Sequence, residues 1–243
     1  MSRRRRPSCS PPPASAPHSS LSFMLDLFVR AWGVAASWQP ALAHADGRLD
    51  ADAVLAAVAS ARAAGSPVMV LGTSFVFVHL LDDLAARVPA PDLRLPPGSA
   101  LMQTGGFKGR TREVAADELR ARLAATFGLS PARVVAEYGM TELSSQLYEG
   151  SLAGRGIHGH YLAPPWMRVD AVDPVTLLPL PRGDVGLARI IDLANVDSAV
   201  VVQTADRVRV TADGIELLGR APGAPPRGCS LAVDEALSGR AEG

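Results

Sequence analysis

The chain has 243 residues, of which 48% are hydrophobic, enough to form the core of one large domain or of two small ones. Lys+Arg and Asp+Glu each number 24, so the formal net charge is zero, which argues against binding to nucleic acid or to an anionic membrane. The two cysteines, Cys9 and Cys229, lie near opposite ends without metal-ligand spacing. We therefore expect neither a disulfide scaffold nor a zinc site, and a reducing cytoplasm as the location.

The first 18 residues contain four consecutive arginines followed by a Ser/Pro/Ala-rich run. Too few of them are apolar to form a packed core, so we predict a disordered leader over residues 1–18. An export signal with twin arginines is the alternative, but Asp26 and Arg30 interrupt the apolar run that follows. No run in the sequence reaches the ~18 to 20 apolar residues that a membrane span requires.

Residues 19–163 alternate between helical and strand-like patterns. A helix is expected at residues 20–32, with Ser20 as its cap, and further helices at 50–64, 75–87 and 113–127. Short apolar runs predict strands at residues 68–71, 99–103 and 134–137. Successive strand, loop and helix units favour a parallel sheet with helices on its faces.

A polar loop follows each of these three strands. The first, Gly72-Thr73-Ser74, opens a helix whose N-terminal amides could attract an anion. The second, residues 104–110, is glycine-rich and contains the single lysine of the chain, Lys108. Because ligands of open α/β sheets collect at the carboxyl ends of strands, we expect a binding site along this edge.

The third loop, Tyr138-Gly139-Met140-Thr141-Glu142, combines residue types that suit a nucleotide. The tyrosine ring offers a flat face to a purine, and the glycine permits close approach of the backbone. Thr141 adds a hydroxyl, and Glu142 adds a hard oxygen ligand for Mg²⁺. The alternative interpretation is a surface turn in which Thr141 caps a following helix.

Beyond residue 163 the pattern changes to short β-type runs separated by prolines and Asp-Gly turns, which predict a mostly antiparallel β-subdomain over residues 164–219. The runs are residues 167–171, 186–192, 199–203, 207–211 and 215–218. A linker and short C-terminal segment follow at 220–243. The predicted fold class is therefore α/β, with parallel βαβ layers in residues 19–163 followed by a smaller, mostly antiparallel β-subdomain.

Several stretches, in order, resemble the acyl-protein synthetases of the bacterial bioluminescence operon, the LuxE type. They are Leu-Gly-Thr-Ser-Phe at 71–75, Thr-Gly-Gly-Phe-Lys at 104–108, Tyr-Gly-Met-Thr-Glu at 138–142, Pro-Pro-Trp at 164–166, Asp-Pro-Val-Thr-Leu at 173–177 and Arg-Gly-Cys-Ser-Leu at 227–231. This family is a branch of the acyl-adenylate-forming superfamily, which includes acyl-CoA ligases and firefly luciferase. The resemblance covers roughly residues 19–240 and implies a partial adenylate-forming-enzyme fold.

The resemblance implies an enzyme that activates a fatty acid with ATP and Mg²⁺ as an acyl-adenylate. It further implies transfer of the acyl group to a protein cysteine and delivery to an acyl-reductase partner. The implied catalytic residues are Cys229, Glu142 and Thr141, with Glu142 as the magnesium ligand. The implied nucleotide-binding residues are Gly105, Gly106, Tyr138, Gly139, Asp206 and Arg220, with Lys108 as a charge stabiliser.

Other interpretations of these residues remain open. Cys229 could be a small buried hydrophobic residue, and Lys108 could be a solvated loop lysine. Ala205 stands before Asp206 where the superfamily usually has glycine. His158 and His160 lack a third ligand nearby in sequence, so we expect a structural or solvated pair rather than a metal site.

The sequence departs from the family in one important respect. Residues 1–98 contain no Ser/Thr/Gly-rich loop of the kind that surrounds the ATP phosphates in family members. The chain therefore resembles the later two-thirds of an acyl-protein synthetase, truncated at its N-terminus. Three functions stay open: an enzyme completed by a separate upstream chain, a non-catalytic remnant that binds acyl groups or nucleotides, and a coenzyme A ligase of the same superfamily.

Overall fold

The computed structural model describes residues 13, 14, 17, 19–32, 49–89, 91–105 and 114–224. The chain divides into two compact units, one formed by Met1–Val134 with Gly228–Gly243 and the other by Val135–Arg227. The predicted domain boundaries at residues 18, 163 and 219 stay predictions. Among the described residues, no helix is long and apolar enough to cross a membrane.

The predicted helices of the first unit are confirmed. They are α1 (Ser20–Trp32), α2 (Ala51–Ala63), α3 (Ser74–Ala85) and α4 (Ala116–Phe127). The predicted cap at Ser20 is wrong, because the side chain of Ser19 accepts the hydrogen bond from the Ser22 amide, at 3.1 Å. Asp50 and Thr73 cap α2 and α3 in the same way, each accepting from an amide three residues later.

Two parallel strands, β1 (Met69–Thr73) and β2 (Ala100–Thr104), form the sheet of the first unit. Met69 pairs with Ala100 and Thr73 with Thr104, so the two strands end in register. Both strands are buried along almost their whole length, as is usual when helices cover a parallel sheet. The polar residues after β1 and β2 therefore emerge at one edge, as predicted.

Helices α2, α3 and α4 and both strands contribute to one apolar core in this unit. Phe77, Leu101 and Phe127 are its fully buried centre. Helix α4 ends at Gly128, which has φ 62°, a left-handed conformation that glycine adopts at little cost. The buried Arg120 of the same helix donates from Nη1 to the carbonyl of Val134.

The second unit is an antiparallel sheet in the order β3-β4-β5-β9-β8-β7-β6. Its strands are β3 (Val134–Tyr138), β4 (Leu147–Glu149), β5 (His160–Leu162), β6 (Met167–Val172), β7 (Val185–Asp192), β8 (Val201–Val210) and β9 (Ile215–Arg220). Side chains alternate between buried and half-buried along β7. Its buried face, which includes Ile190, packs into one core with Val169 and Val208.

The sequence-based prediction of this sheet is partly wrong. The runs predicted at 199–203 and 207–211 form the single strand β8, because the residues between them remain in extended conformation as an irregular segment of one strand. Strands β4 and β5 were not predicted. Each has three residues, too few for an alternating pattern to be recognised.

Candidate functional site

Three residues predicted to bind nucleotide lie together in the second unit. The hydroxyl of Tyr138 donates to Oδ2 of Asp206 at 2.7 Å, and Nη1 of Arg220 lies 2.9 Å from Oδ1 of the same carboxylate. The side chains of Asp206 and Arg220 are 17% and 29% exposed, so the ion pair is largely shielded but accessible. Each carboxylate oxygen already accepts one bond and retains acceptor capacity for a ligand hydroxyl.

A bulge in β9 brings Arg220 opposite Asp206. Asp206 pairs with Arg220 and Val208 with Leu217, so residues 218 and 219 of β9 face residue 207 alone. The bulged residue Gly219 has φ 79°, a conformation that costs a residue with a Cβ far more than glycine. Gly219 therefore forms the bulge that sets the position of Arg220.

Strand β8 is irregular on its other edge as well. Leu187 pairs with Arg207 and Arg189 with Gln203, so residues 204–206 face Ala188 alone. The side chains of Gln203 and Thr204 both donate to the Ala188 carbonyl, each at 3.2 Å, which satisfies a group that the ladder leaves unpaired. This irregular segment carries Asp206.

Ala205, where the superfamily usually has glycine, fits this segment without backbone strain. The φ of Ala205 is not positive; among the described non-glycine residues, Leu177 has a positive φ. The carbonyl of Ala205 accepts a hydrogen bond from the amide of Ala221 at 2.8 Å. The departure from the superfamily pattern therefore adds no backbone strain next to Asp206.

Tyr138 is half-buried at the end of β3, and its ring meets that of Tyr161 edge to face, with centroids 6.3 Å apart. Burial raises the pKa of Tyr138, and the negative charge of Asp206 raises the same pKa further. The phenol therefore stays protonated at physiological pH and acts as a hydrogen-bond donor. The interaction with Asp206 holds the ring in one orientation.

The space where a Cβ at Gly139 would lie is filled by neighbouring side chains of the same chain. A Cβ at this position would lie 2.5 Å from Oε1 of Glu137 and 3.2 Å from Cγ of Gln146. Glu137 is buried, so its carboxylate has little room to move away. The predicted reason for this glycine, close approach of a ligand to the backbone, stays a prediction.

The side chains of Thr141 and Glu142 are exposed in the turn that follows Gly139. The alternative interpretation of Thr141 as a helix cap is wrong, because the chain continues through turns into β4. The exposed carboxylate of Glu142 lies shortly after Tyr138 in sequence, in the same unit as the Tyr138–Asp206 pair. It is accessible to a ligand. Its predicted role in binding magnesium stays a prediction.

Asn195 holds this turn in place. Its Oδ1 accepts from the Ser144 amide at 2.6 Å, and its Nδ2 donates to the Glu142 carbonyl at 2.8 Å and to the Ala199 carbonyl at 3.0 Å. The side chain is almost fully buried, so each of these bonds is shielded from water. Residues 192–195, here called the 192–195 corner, thus contact the backbone on both sides of Leu143.

Asp192, at the other end of the 192–195 corner, holds the next residue of the turn. Its fully buried carboxylate accepts from both the amide and the hydroxyl of Ser145, each at 2.9 Å. The indole nitrogen of Trp166 donates to the same hydroxyl at 2.9 Å. The sequence analysis missed Asp192 and Asn195; the signal available was a polar residue at the end of the alternating pattern of β7 and a second one three residues later.

Glu149 was also missed. It lies on β4, is 3% exposed, and accepts from the Ala136 amide at 2.9 Å and from the Gly159 amide at 2.7 Å. Ala136 belongs to β3, so the carboxylate fixes the strand that ends at Tyr138. No local sequence pattern indicated this role, since β4 has three residues and glycine and serine follow Glu149.

The remaining predicted residues belong to the first unit or lie outside the described residues. Gly105 follows β2 with φ 71°, and its carbonyl accepts from the Ser74 hydroxyl at 2.8 Å. The Thr73 hydroxyl accepts from the Val76 amide, so both hydroxyls of the predicted anion-binding turn contact their own chain. Gly106, Lys108 and Cys229 lie outside the described residues.

Across the described ranges, no group of three or more His, Cys, Asp or Glu residues could hold a metal ion. Nε2 of His160 instead lies 3.0 Å from Glu216, which also pairs with Arg209 at 2.6 Å. A single exposed carboxylate such as Glu142 still suits Mg²⁺, which keeps several waters and is commonly shared between one or two carboxylates and substrate phosphates. The residues present therefore fit a metal bound together with a nucleotide.

The fold defines the structural class of the protein: the chain has the fold of adenylate-forming enzymes. It is similar to the ATP-bound structure of MatB from Rhodopseudomonas palustris, with 18% identity and a TM-score of 0.60 over 90% of this chain and 41% of that one. It is also similar to a benzoate CoA ligase from Burkholderia xenovorans, with 17% identity and a TM-score of 0.58 over 90% of this chain and 42% of that one.

The particular family follows from the sequence comparison. The model of the acyl-protein synthetase family, LuxE, matches residues 46–238, and the chain belongs to this family. A long-chain-fatty-acid–luciferin-component ligase from Vibrio harveyi is 25% identical over 204 residues, which are 80% of this chain and 52% of that protein. The chain thus spans about half the length of the curated relative, and the family resemblance of the sequence analysis is confirmed.

Proposed function

We propose that this acyl-activating ligase uses ATP and Mg²⁺ to convert a fatty acid into an acyl-adenylate and then transfers the acyl group to a protein cysteine. One observation carries the proposal: Tyr138, Asp206 and Arg220 form a connected, accessible group in the unit that also presents Glu142. Membership of the acyl-protein synthetase family supports the choice of a fatty acid as substrate.

The nucleoside of ATP is assigned to the connected group. The half-buried ring of Tyr138 offers a face to adenine, and the free acceptor capacity of Asp206 suits the hydroxyls of ribose. Arg220 orients that carboxylate through its 2.9 Å contact. Gly105, Gly106 and Gly139 keep the nucleotide-binding roles that the family resemblance implies.

The reaction begins when a carboxylate oxygen of the fatty acid attacks the α-phosphorus of ATP. The new oxygen–phosphorus bond forms as the bond from that phosphorus to pyrophosphate breaks. Negative charge accumulates on the phosphoryl oxygens, and Mg²⁺ would neutralise it when bound at Glu142. Thr141 would contact phosphate, and Lys108 would add positive charge.

Cys229 is the proposed acceptor. Its thiolate would attack the acyl carbonyl, forming a thioester and releasing AMP. The thioester then suits delivery to an acyl-reductase partner. The cytoplasm, where thiols stay reduced, is the proposed location.

Fatty-acid-dependent exchange of pyrophosphate into ATP tests the first step. The purified chain should catalyse exchange, Glu142→Ala should abolish it, and Glu118→Ala, at an exposed position on α4, should leave it unchanged. A folded chain that binds ATP without exchange would instead favour a non-catalytic binding role. Exchange that survives in Glu142→Ala would reject the assignment of the magnesium ligand.

Covalent labelling with a radioactive fatty acid tests the second step. Cys229→Ser should abolish the label, whereas Cys9→Ser, the matched control, should retain it. Labelling that persists in Cys229→Ser would remove this residue as the acceptor. If the chain instead acquires no label and forms acyl-coenzyme A, the coenzyme A ligase alternative is favoured.

A further inference from the structure

The turn that carries Glu142 is held from outside the motif. Residues 139–146 contain the exposed Thr141 and Glu142 side chains but form neither helix nor strand until β4 begins. An isolated turn of this kind samples many conformations, and a metal ligand on it would lose affinity for that reason. The turn therefore needs partners elsewhere in the chain to be fixed.

The 192–195 corner supplies such partners at three successive points. Asn195 contacts the Glu142 carbonyl and the Ser144 amide, and Asp192 contacts the Ser145 amide and hydroxyl. The contacted backbone groups run from the Glu142 carbonyl to the Ser145 amide, so the contacts restrict the backbone of Glu142 directly. The corner lies about fifty residues later in sequence, as the separations of 51, 53 and 47 residues show.

Burial strengthens this restraint. Asp192 is completely buried and Asn195 is 2% exposed, so water competes little for these hydrogen bonds. Their orientation is fixed in turn: the amide of Ala194 donates to Asp192 at 3.0 Å, and Asn195 also donates to the Ala199 carbonyl. The corner is a rigid support rather than a second flexible loop.

We propose that Asp192 and Asn195 are positioning residues that hold the Glu142 turn in the conformation required to bind Mg²⁺ together with ATP. This inference rests on the proposed function, since it assigns a purpose to the geometry of Glu142. Asp192 and Asn195 each act on the backbone of residues 142–145. Replacing an outer partner of a metal ligand typically lowers metal affinity or activity by about 10- to 100-fold.

Asn195→Ala is the variant that tests the proposal, and Asp197→Ala is its matched control. Asp197 is exposed in the residues that follow the corner, so its truncation removes a similar side chain without removing these contacts. Calorimetric titration of ATP into the whole chain is carried out in EDTA and again with Mg²⁺. The ratio of the two dissociation constants measures the contribution of the metal.

In the unaltered chain and in Asp197→Ala, Mg²⁺ should tighten ATP binding. In Asn195→Ala this enhancement should fall about tenfold, the lower end of the effect seen when an outer partner of a metal ligand is removed. The affinity in EDTA should change less than about twofold, because Asn195 has no contact with the nucleotide-binding group. Asn195→Asp should not restore the enhancement, since its carboxylate cannot donate to the Glu142 carbonyl.

Hydrogen exchange gives a second measurement that does not depend on ligand. The Ser144 amide, which donates to Asn195, should exchange at least about tenfold faster in Asn195→Ala, while amides in the centre of β7 keep their protection. Unchanged protection of Ser144 would overturn the proposal, because the side chain would then not restrain the turn.

The remaining outcomes separate this inference from the function on which it rests. If Mg²⁺ does not affect ATP binding in the unaltered chain, the proposed function itself fails and the positioning role fails with it. If the effect is present there and persists in Asn195→Ala, only the positioning role is rejected. Equal loss of affinity with and without Mg²⁺ would show a general structural role and would also reject it.

Discussion

The phenolic hydroxyl of Tyr138 and the carboxylate of Asp206 are joined by a 2.7 Å hydrogen bond across 68 residues of sequence. The donor stands at the end of β3 and the acceptor in the irregular segment of β8. Since Arg220 occupies the other carboxylate oxygen, the orientation of Asp206 is set from two sides. This relationship connects the two sequence segments to which the family resemblance assigns adenine and ribose.

Removal of the charge at Asp206 should weaken nucleotide binding. Asp206→Asn retains the size of the side chain but loses the ion pair with Arg220 and half of its acceptor capacity. A hydrogen bond to a charged group contributes about 1.5–3 kcal/mol, so we expect the ATP dissociation constant to rise about 10- to 100-fold. Titration calorimetry measures it, with Asp213→Asn, exposed before β9, as the control. Unchanged affinity would exclude Asp206 from the nucleotide site.

The stability of the fold should decrease at alkaline pH because of two half-buried tyrosines, Tyr138 and Tyr148. Burial raises the pKa of Tyr138 and of Tyr148, with Asp206 and Glu137 respectively adding to the shift. A phenol whose pKa is raised in the folded state contributes stability that is complete below about pH 10, the unfolded value, and is lost as pH rises towards the folded pKa. Stability should therefore fall above pH 10 by up to about 1.4 kcal/mol per pH unit for each residue.

The measurement is phenolate absorbance recorded together with circular dichroism. Both residues should ionise only as the fold is lost, and Tyr138→Phe should make the pH dependence of stability shallower. A folded protein whose Tyr138 ionises near pH 10 would show that the ring is more hydrated than the structure indicates.

The bulge at Gly219 should be sensitive to a single methyl group. No atom lies within 4 Å of a Cβ at this position, so the cost of Gly219→Ala comes from the positive φ of 79°. We expect a loss of about 1–2 kcal/mol in the free energy of unfolding, measured by urea denaturation. Weaker ATP binding should accompany it if the backbone relaxes and moves Arg220 away from Asp206. An unaltered midpoint would mean that β9 has another register available.

Glu149→Gln should destabilise the second unit. Each carboxylate oxygen of Glu149 accepts from one amide, the buried one of Ala136 and the partly buried one of Gly159, and the substitution turns an NH₂ group towards one of them. An unsatisfied buried donor costs about 1–3 kcal/mol, so the unfolding midpoint should fall accordingly. Glu118→Gln on the exposed face of α4 should stay within about 0.5 kcal/mol of the unaltered chain. Equal midpoints for the two variants would contradict the proposed support of β3.

Local patterns were sufficient to predict the helices and most of the strands, although the longest strand, β8, was predicted as two. Helix α1 has the predicted bounds because its apolar residues recur at helical spacing, and β7 shows the alternation that a half-buried strand requires. Parallel pairing of β1 with β2 followed from the intervening helix. These features depend on residues close together in sequence.

The site was less predictable because it depends on long-range register. The motif at 138–142 was found directly, and family resemblance added Asp206 and Arg220, but no local pattern indicates that two bulges bring them together. Asp192 is the last residue of β7 and Asn195 follows it closely, and polar residues where a strand ends usually mark an exposed turn. Only their burial and their partners distinguish them from such a turn.

The bulge in β9 makes segment length as informative as residue identity when relatives are compared. A relative that lacks the extra residue of the bulge still pairs its arginine with the aspartate, because regular pairing from Val208 and Leu217 places position 206 opposite the second residue after Leu217. A relative that lacks a further residue there has a shifted register, which exchanges the two faces of the sheet and turns the arginine away from its aspartate. An insertion in the turn itself leaves the pairing intact. Gap placement within a few residues therefore separates relatives that keep this ion pair from those that have lost it.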